Sequence, residues 1–190
     1  MNTPICDFLE AYANAAPVRM HMPGHKGTSE ENSHDLTEIV GADCLFVADG
    51  IIGESERNLS DIYGADSFSS TEGSSLSIKT ALYLLTLYAK EKGKKPLILA
   101  ARNAHRSFIS SAILIDFEVE WLVDGSDYLS SGLTAELFEA RLAAGERPVA
   151  VYITSPDYLG GTVDIGAIAK VCHKYGTFLM VDNAHGAYLK

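Results

Sequence analysis

The sequence predicts an α/β protein: three layers, with a mostly parallel sheet between helices on both faces. Three observations carry this. From about residue 65, strand-like and helix-like segments alternate every ~25–30 residues, the size of a βαβ unit. The clearest strands are continuous apolar runs, Leu97–Ala101, VAVYIT at 149–154 and FLMVD at 178–182, as expected of strands covered on both faces. A polar cluster follows each strand, where open parallel sheets bind ligands.

The elements follow in order. Residues 1–65 form an N-terminal segment with short helices. Ile5–Ala13 places Ile5, Phe8, Leu9 and Tyr12 at helical spacing. HMPGHKG at 21–27 is a loop, punctuated by Pro23, Gly24 and Gly27. Gly53–Tyr63 reads as a second short helix. Residues 66–190 carry the regular alternation of strands and helices. Ser67–Ser70 is expected as a short strand, then Ser74–Lys92 as an amphipathic helix carrying Ile78, Ala81, Leu82, Leu85 and Tyr88. Pro96 ends that segment. Leu97–Ala101 is a strand, His105–Ile115 a helix, Glu118–Val123 a strand, and Thr134–Ala144 a helix capped by Thr134. Val149–Thr154 is a strand, Asp164–Tyr175 a helix and Phe178–Asp182 the last strand.

Composition narrows the function classes. The chain has 190 residues, of which 47% are hydrophobic and 21% charged, so a packed core is expected rather than disorder. Fifteen Lys and Arg against 25 Asp and Glu give a net charge of −10, which argues against a nucleic-acid partner. No apolar run approaches the ~20 residues of a membrane span. Cys6, Cys44 and Cys172 are scattered and form no CxxC, so a reducing cytoplasm is expected. No metal is expected, because the spacing of His21, His25 and His34 is not that of a ligand set. Nucleotide fingerprints and the GxSxG nucleophile elbow are absent.

Four clusters gather at one sheet edge: Thr71-Glu72-Gly73-Ser74-Ser75, Arg102-Asn103-Ala104-His105-Arg106, Thr154-Ser155-Pro156 and Asp182-Asn183-Ala184-His185-Gly186. The first suits a phosphate, since a helix N-terminus presents unpaired N–H groups and Gly73 permits close backbone approach; it also suits a plain N-cap. Asp182 closes an apolar strand, either as a cap for the next segment or as partner to a cationic ligand group.

In this order the motifs resemble the major domain of the Orn/Lys/Arg decarboxylase family, a fold-type-I pyridoxal phosphate group. The match runs through His21–Gly27, Asp35–Glu38, Gly53–Glu56, Tyr63–Asp66, Thr71–Ser75, Arg102–Ser107, Thr154–Pro156 and Val181–Gly186. The resemblance implies pyridoxal 5′-phosphate as cofactor. It implies a phosphate cradle from the backbone of Glu72, Gly73 and Ser74 with the Ser74 and Ser75 hydroxyls. His105 would stack on the pyridine ring, and Asp182 would pair with the ring nitrogen and keep it protonated. His185 would lie near the cofactor, and Thr154 or Ser155 would hold the ring or its phenolic oxygen. His105, Asp182 and His185 are the residues implied for catalysis. The implied reaction is decarboxylation of arginine, lysine or ornithine to a di- or polyamine. The implied partners are the small amino-acid substrate and further copies of the complete enzyme, as a homodimer or higher oligomer. The alternatives are another fold-type-I enzyme, an aminotransferase or aldolase, or a non-catalytic module that depends on a partner.

The sequence departs from the family pattern at several places. Asn183 replaces a usual Glu, Glu72 a common Asn, and Asp157 and Leu159 a typical Thr and Tyr. The family's Schiff-base lysine belongs to a Ser-x-His-Lys-type motif, and no lysine from Lys26 to Lys190 lies in one. The expectation is therefore an N-terminal portion of the enzyme, an incomplete domain with little or no decarboxylase activity by itself.

Overall fold

The structure is a computed structural model that describes residues 2–123, 125 and 132–187. Lys190 lies outside the described residues. Two compact units emerge, Met1–Ser69 and Ser70–Lys190. No described helix is long and apolar enough to cross a membrane.

In the first unit, α1 (Pro4–Asn14) packs against α2 (Ile51–Tyr63). Pro4 opens α1, where its fixed φ suits the helix and its missing N–H leaves nothing unpaired. A single 3₁₀ turn, Glu30–Asn32, lies between them. The HMPGHKG segment is a loop, as its proline and two glycines dictate. The Arg19 guanidinium lies beside Gly27 and donates to the carbonyls of Asn32, Ser33 and Asp35. Gly27 has φ +68°, and a Cβ there would lie 2.7 Å from Arg19 Cζ, so only glycine closes this turn. His25 donates its backbone N–H to Asp35 at 2.8 Å and pairs with it through the ring. These bonds hold the Asp35 carboxyl below its usual range. Asp43 accepts N–H groups from Cys44, Gly50 and Ile52, which seats the first turn of α2.

One expected element is absent: Ser67–Ser70 is not a strand. Its N–H groups bond to side chains rather than to a neighbouring strand. Ser67 donates to Ser60 Oγ at 2.9 Å and Ser69 to Glu56 Oε1 at 2.7 Å.

The second unit is a βαβ assembly. After α3 (Gly73–Glu91) come β1 (Leu97–Ala101), α4 (Arg106–Ile115), β2 (Glu118–Leu122), α5 (Ala135–Ala144), β3 (Ala150–Thr154), α6 (Ile165–Tyr175) and β4 (Phe178–Asp182). The described sheet is entirely parallel, in the order β2-β1-β3-β4. Alternate residues face opposite layers. Ile98, Ala100, Ala150 and Tyr152 pack beneath α3 and α4 with Ile78, Leu82 and Phe108. Leu99, Ala101, Val151 and Ile153 pack beneath α5 and α6 with Phe138, Leu142, Ile168 and Cys172. Each such large apolar side chain contributes about 1.5–3 kcal/mol on burial. β1 and β3 are buried along their whole length, whereas β2 and β4 flank them and are partly exposed. The two-sided cover expected of the apolar strands therefore holds for the central pair alone; Phe178 on β4 is 48% exposed.

Helix starts follow from their caps. Thr134 accepts from Leu137 N and Asp164 from Ala167 N, each satisfying a first-turn donor. The α3 stripe is Ile78, Leu82, Thr86 and Ala89. Thr86 fits because its hydroxyl donates back to the Leu82 carbonyl at 2.8 Å.

Candidate active site

The chain steps from β1 to β2 on one side, then returns to lay β3 on the other side of β1. This reversal is the topological switch point, at which loops splay apart and leave a crevice. A small cleft of about 70 Å³ opens at the C-terminal end of the strands, lined by Ser74, His105, Thr154, Tyr158, Asp182, Ala184 and His185. A volume of this size has room for a few waters.

Of the residues expected to form the site, Ser74, His105, Thr154, Asp182 and His185 line this cleft together. Glu72, Gly73, Ser75 and Ser155 are not among its lining. Glu72 is the residue before α3, and its side chain makes no capping hydrogen bond. Gly73 begins the helix with φ +64°, and no heavy atom lies within 4 Å of where a Cβ would stand. The start of α3 therefore lacks a side-chain cap and is open on the glycine side. Ser75 bonds to Ser107 instead, Oγ to Oγ at 2.7 Å. Ser155 is 2% exposed and its Oγ accepts the Val163 N–H at 3.3 Å, so it shapes the loop after β3.

His105 is the N-cap of α4. Its Nδ1 accepts the Ser107 N–H at 3.2 Å and lies 2.9 Å from Ser107 Oγ. Because the backbone can only donate, this network assigns Nδ1 as the acceptor and places the proton of neutral His105 on Nε2.

Asp182 ends β4 and is 7% exposed. Its Oδ2 accepts from the Tyr152 hydroxyl at 2.9 Å and its Oδ1 from the Ala184 N–H at 3.2 Å. Among the described residues, no Lys, Arg or His forms an ion pair with it. Burial, followed by the Asp182 charge, pushes the Tyr152 phenol far above its ordinary value. The hydroxyl thus remains a donor. His185 lies with its ring centroid 6.2 Å from that of Tyr158.

Two buried polar side chains near the ends of β1 and β3 lack a well-aligned hydrogen bond: Thr154 at Oγ1, which lies near the Tyr152 hydroxyl, and Asn103 at both Oδ1 and Nδ2. Such groups are costly unless a ligand or water completes them. His21, His25 and His34 belong to the first unit. Among the described residues, no three His, Cys, Asp or Glu side chains converge as metal ligands.

Sequence reasoning did not single out Tyr158 or Tyr152, and it gave no individual role to Ala184 or Ser107. A tyrosine in an otherwise aliphatic buried strand, two residues before Thr154 and hence on its face, was the available signal for Tyr152. Nothing in the sequence pairs Ser107 with Ser75.

The fold is shared with solved proteins. Mouse CSAD in its apo form matches with a TM-score of 0.58 at 23% identity, covering 75% of this chain and 33% of that one. Sphingosine-1-phosphate lyase of Burkholderia pseudomallei matches with a TM-score of 0.52 at 23% identity, covering 62% and 26%. These likenesses show a shared α/β fold with a parallel sheet. The sequence model described as Orn/Lys/Arg decarboxylase, major domain, matches residues 3–190, and the chain belongs to that family. Arginine decarboxylase of Bacillus subtilis is 28% identical over 205 residues, covering 98% of this chain and 40% of the relative. Arginine decarboxylase of Halalkalibacterium halodurans is 28% identical over 203 residues, with the same coverage. The chain therefore spans about two fifths of the length of these relatives.

Proposed function

We propose that this protein takes part in the pyridoxal 5′-phosphate-dependent decarboxylation of a basic amino acid, with arginine the first candidate and a polyamine precursor the product. The single observation that carries the reading is Asp182. A buried carboxylate with no cationic partner among the described residues is costly. It becomes favourable when a protonated ring nitrogen sits against it.

The other residues present fit the same group. The open, uncapped start of α3 offers N–H groups and the Ser74 hydroxyl to a phosphate. His105 brings an imidazole to the lining of the cleft, and Thr154 a hydroxyl with no well-aligned partner. When bound, the cofactor supplies the electron sink for loss of the α-carboxylate as CO₂. The work of this chain is electrostatic and positional. Asp182 keeps a proton on the ring nitrogen, the α3 N-terminus anchors the phosphate, and His105 with Thr154 fixes the plane of the ring. His185, at the exposed rim, is placed in the reading as the group nearest the substrate. The substrate identity draws on the names of the relatives. In this reading the complete enzyme is a homodimer or higher oligomer in the cytoplasm, a compartment consistent with three unpaired cysteines.

The test has two arms. Titration with pyridoxal 5′-phosphate, followed by absorbance, is expected to show saturable binding that Asp182→Asn weakens. The complete enzyme that carries this segment is then given arginine, lysine and ornithine. Release of CO₂ with the matching amine supports the reading, and a keto-acid product instead assigns an aminotransferase. Absence of saturable binding overturns it.

A further inference from the structure

Tyr152 is fully buried in β3, among Ala150, Val151 and Ile153. A phenol without solvent must give its proton to an acceptor. The acceptor is Asp182 Oδ2, 2.9 Å away. Sheet register brings the pair together. Tyr152 stands directly opposite Met180, and Asp182 is two residues further along β4. The two side chains are therefore diagonal neighbours on one face, within reach of an aromatic ring.

The phenol is itself held firmly. Its ring centroid lies 4.4 Å from that of Phe108, and Phe108 meets Phe117 and Trp121 edge-on at 5.7 and 5.8 Å. The second oxygen of Asp182 is fixed by the Ala184 N–H. Both carboxylate oxygens are thus oriented by the protein itself. Asp182 lines the cleft, whereas Tyr152 does not.

We propose that Tyr152 is a positioning residue for Asp182: its hydroxyl fixes the carboxylate in the orientation that receives a cationic ring nitrogen in the cleft. The inference rests on the cofactor reading above. Prior orientation removes an ordering cost that binding would otherwise carry.

A double-mutant cycle on affinity for pyridoxine 5′-phosphate tests it, using Tyr152→Phe, Asp182→Asn and both together. This probe has the phosphate and ring nitrogen but no aldehyde. Tyr152→Phe is expected to weaken binding about tenfold, the scale of one hydrogen bond to a charged group. Asp182→Asn weakens it at least as much. The double variant binds no more weakly than Asp182→Asn alone, since Tyr152 acts through Asp182. Inorganic phosphate, which lacks the ring, binds equally to the parent and to Tyr152→Phe.

A second measurement needs no Tyr152 variant. In the parent, the Tyr152 hydroxyl proton is expected as a slowly exchanging NMR resonance that moves on addition of pyridoxine 5′-phosphate and is lost in Asp182→Asn. Unchanged affinity in Tyr152→Phe, additive losses in the cycle, or a hydroxyl resonance indifferent to the probe each overturn the proposal while leaving the cofactor reading intact. A parent protein that binds no pyridoxine 5′-phosphate overturns both.

Discussion

The Oγ atoms of Ser75 and Ser107 lie 2.7 Å apart, which ties the first turn of α3 to the first turn of α4. Ser107 Oγ also lies 2.9 Å from His105 Nδ1. One buried hydroxyl therefore serves two residues of the candidate site. Ser107→Ala leaves Ser75 without this partner and the imidazole with one donor fewer. It is expected to lower unfolding free energy by about 1–2 kcal/mol in urea titrations. It should also shift the ¹⁵N resonance of His105 Nδ1, and an unmoved resonance would show that the hydroxyl does not reach the ring.

Thr154 presents the opposite case, a buried hydroxyl with no well-aligned hydrogen bond among the described residues. Thr154→Val keeps the β-branched shape that suits β3 and removes the unsatisfied oxygen. The ligand-free protein is expected to gain about 1 kcal/mol, seen as a higher melting temperature. Affinity for pyridoxal 5′-phosphate should fall in the same variant. A variant with lower stability, or with undiminished affinity, would show that Thr154 is not held in reserve for a ligand.

Cys172 is buried in α6, and burial pushes its thiol up to about 11. Little thiolate is present at neutral pH, and the sulfur is out of reach of reagents. Cys6 is exposed. Thiol labelling under native conditions is expected to modify Cys6 readily and Cys172 only as the core opens. Rapid labelling of Cys172 would mean that α6 lies loosely on the sheet.

The central sheet was legible because a strand covered on both faces must be apolar throughout, as β1 and β3 are. The cap Thr134 was legible because it acts within one turn of its own helix. The misread segment, 67–70, gives the N–H groups of Ser67 and Ser69 to the side chains of Ser60 and Glu56. That exchange depends on how the segment lies against α2, not on its own residues. In the cleft, Asp182, His105 and Thr154 were legible from their place after a strand. Tyr152 and Ser107 were not, because their roles depend on strand register and on the approach of two helix starts. Local pattern thus reveals residues at the sheet edge, while the residues that orient them appear only with the packing.

Glu120 on β2 and Arg141 on α5 meet through paired hydrogen bonds, with their side chains 38% and 17% exposed. Arg141 holds the Glu120 carboxyl below its ordinary value of 4.5, chiefly through hydrogen bonding, while partial burial opposes the shift. A folded-state value below the unfolded one means that the unfolded chain binds the proton first as pH falls. The pair's contribution is therefore complete above the unfolded value and is lost as pH drops through the folded one. Partial exposure and screening limit it to about 0.5–1 kcal/mol. Glu120→Gln is expected to be less stable than the parent by that amount at pH 7. The gap should close as denaturation curves are taken down through the acid range. A gap that stays constant with pH would assign the pair's effect to packing of the Arg141 side chain rather than to charge.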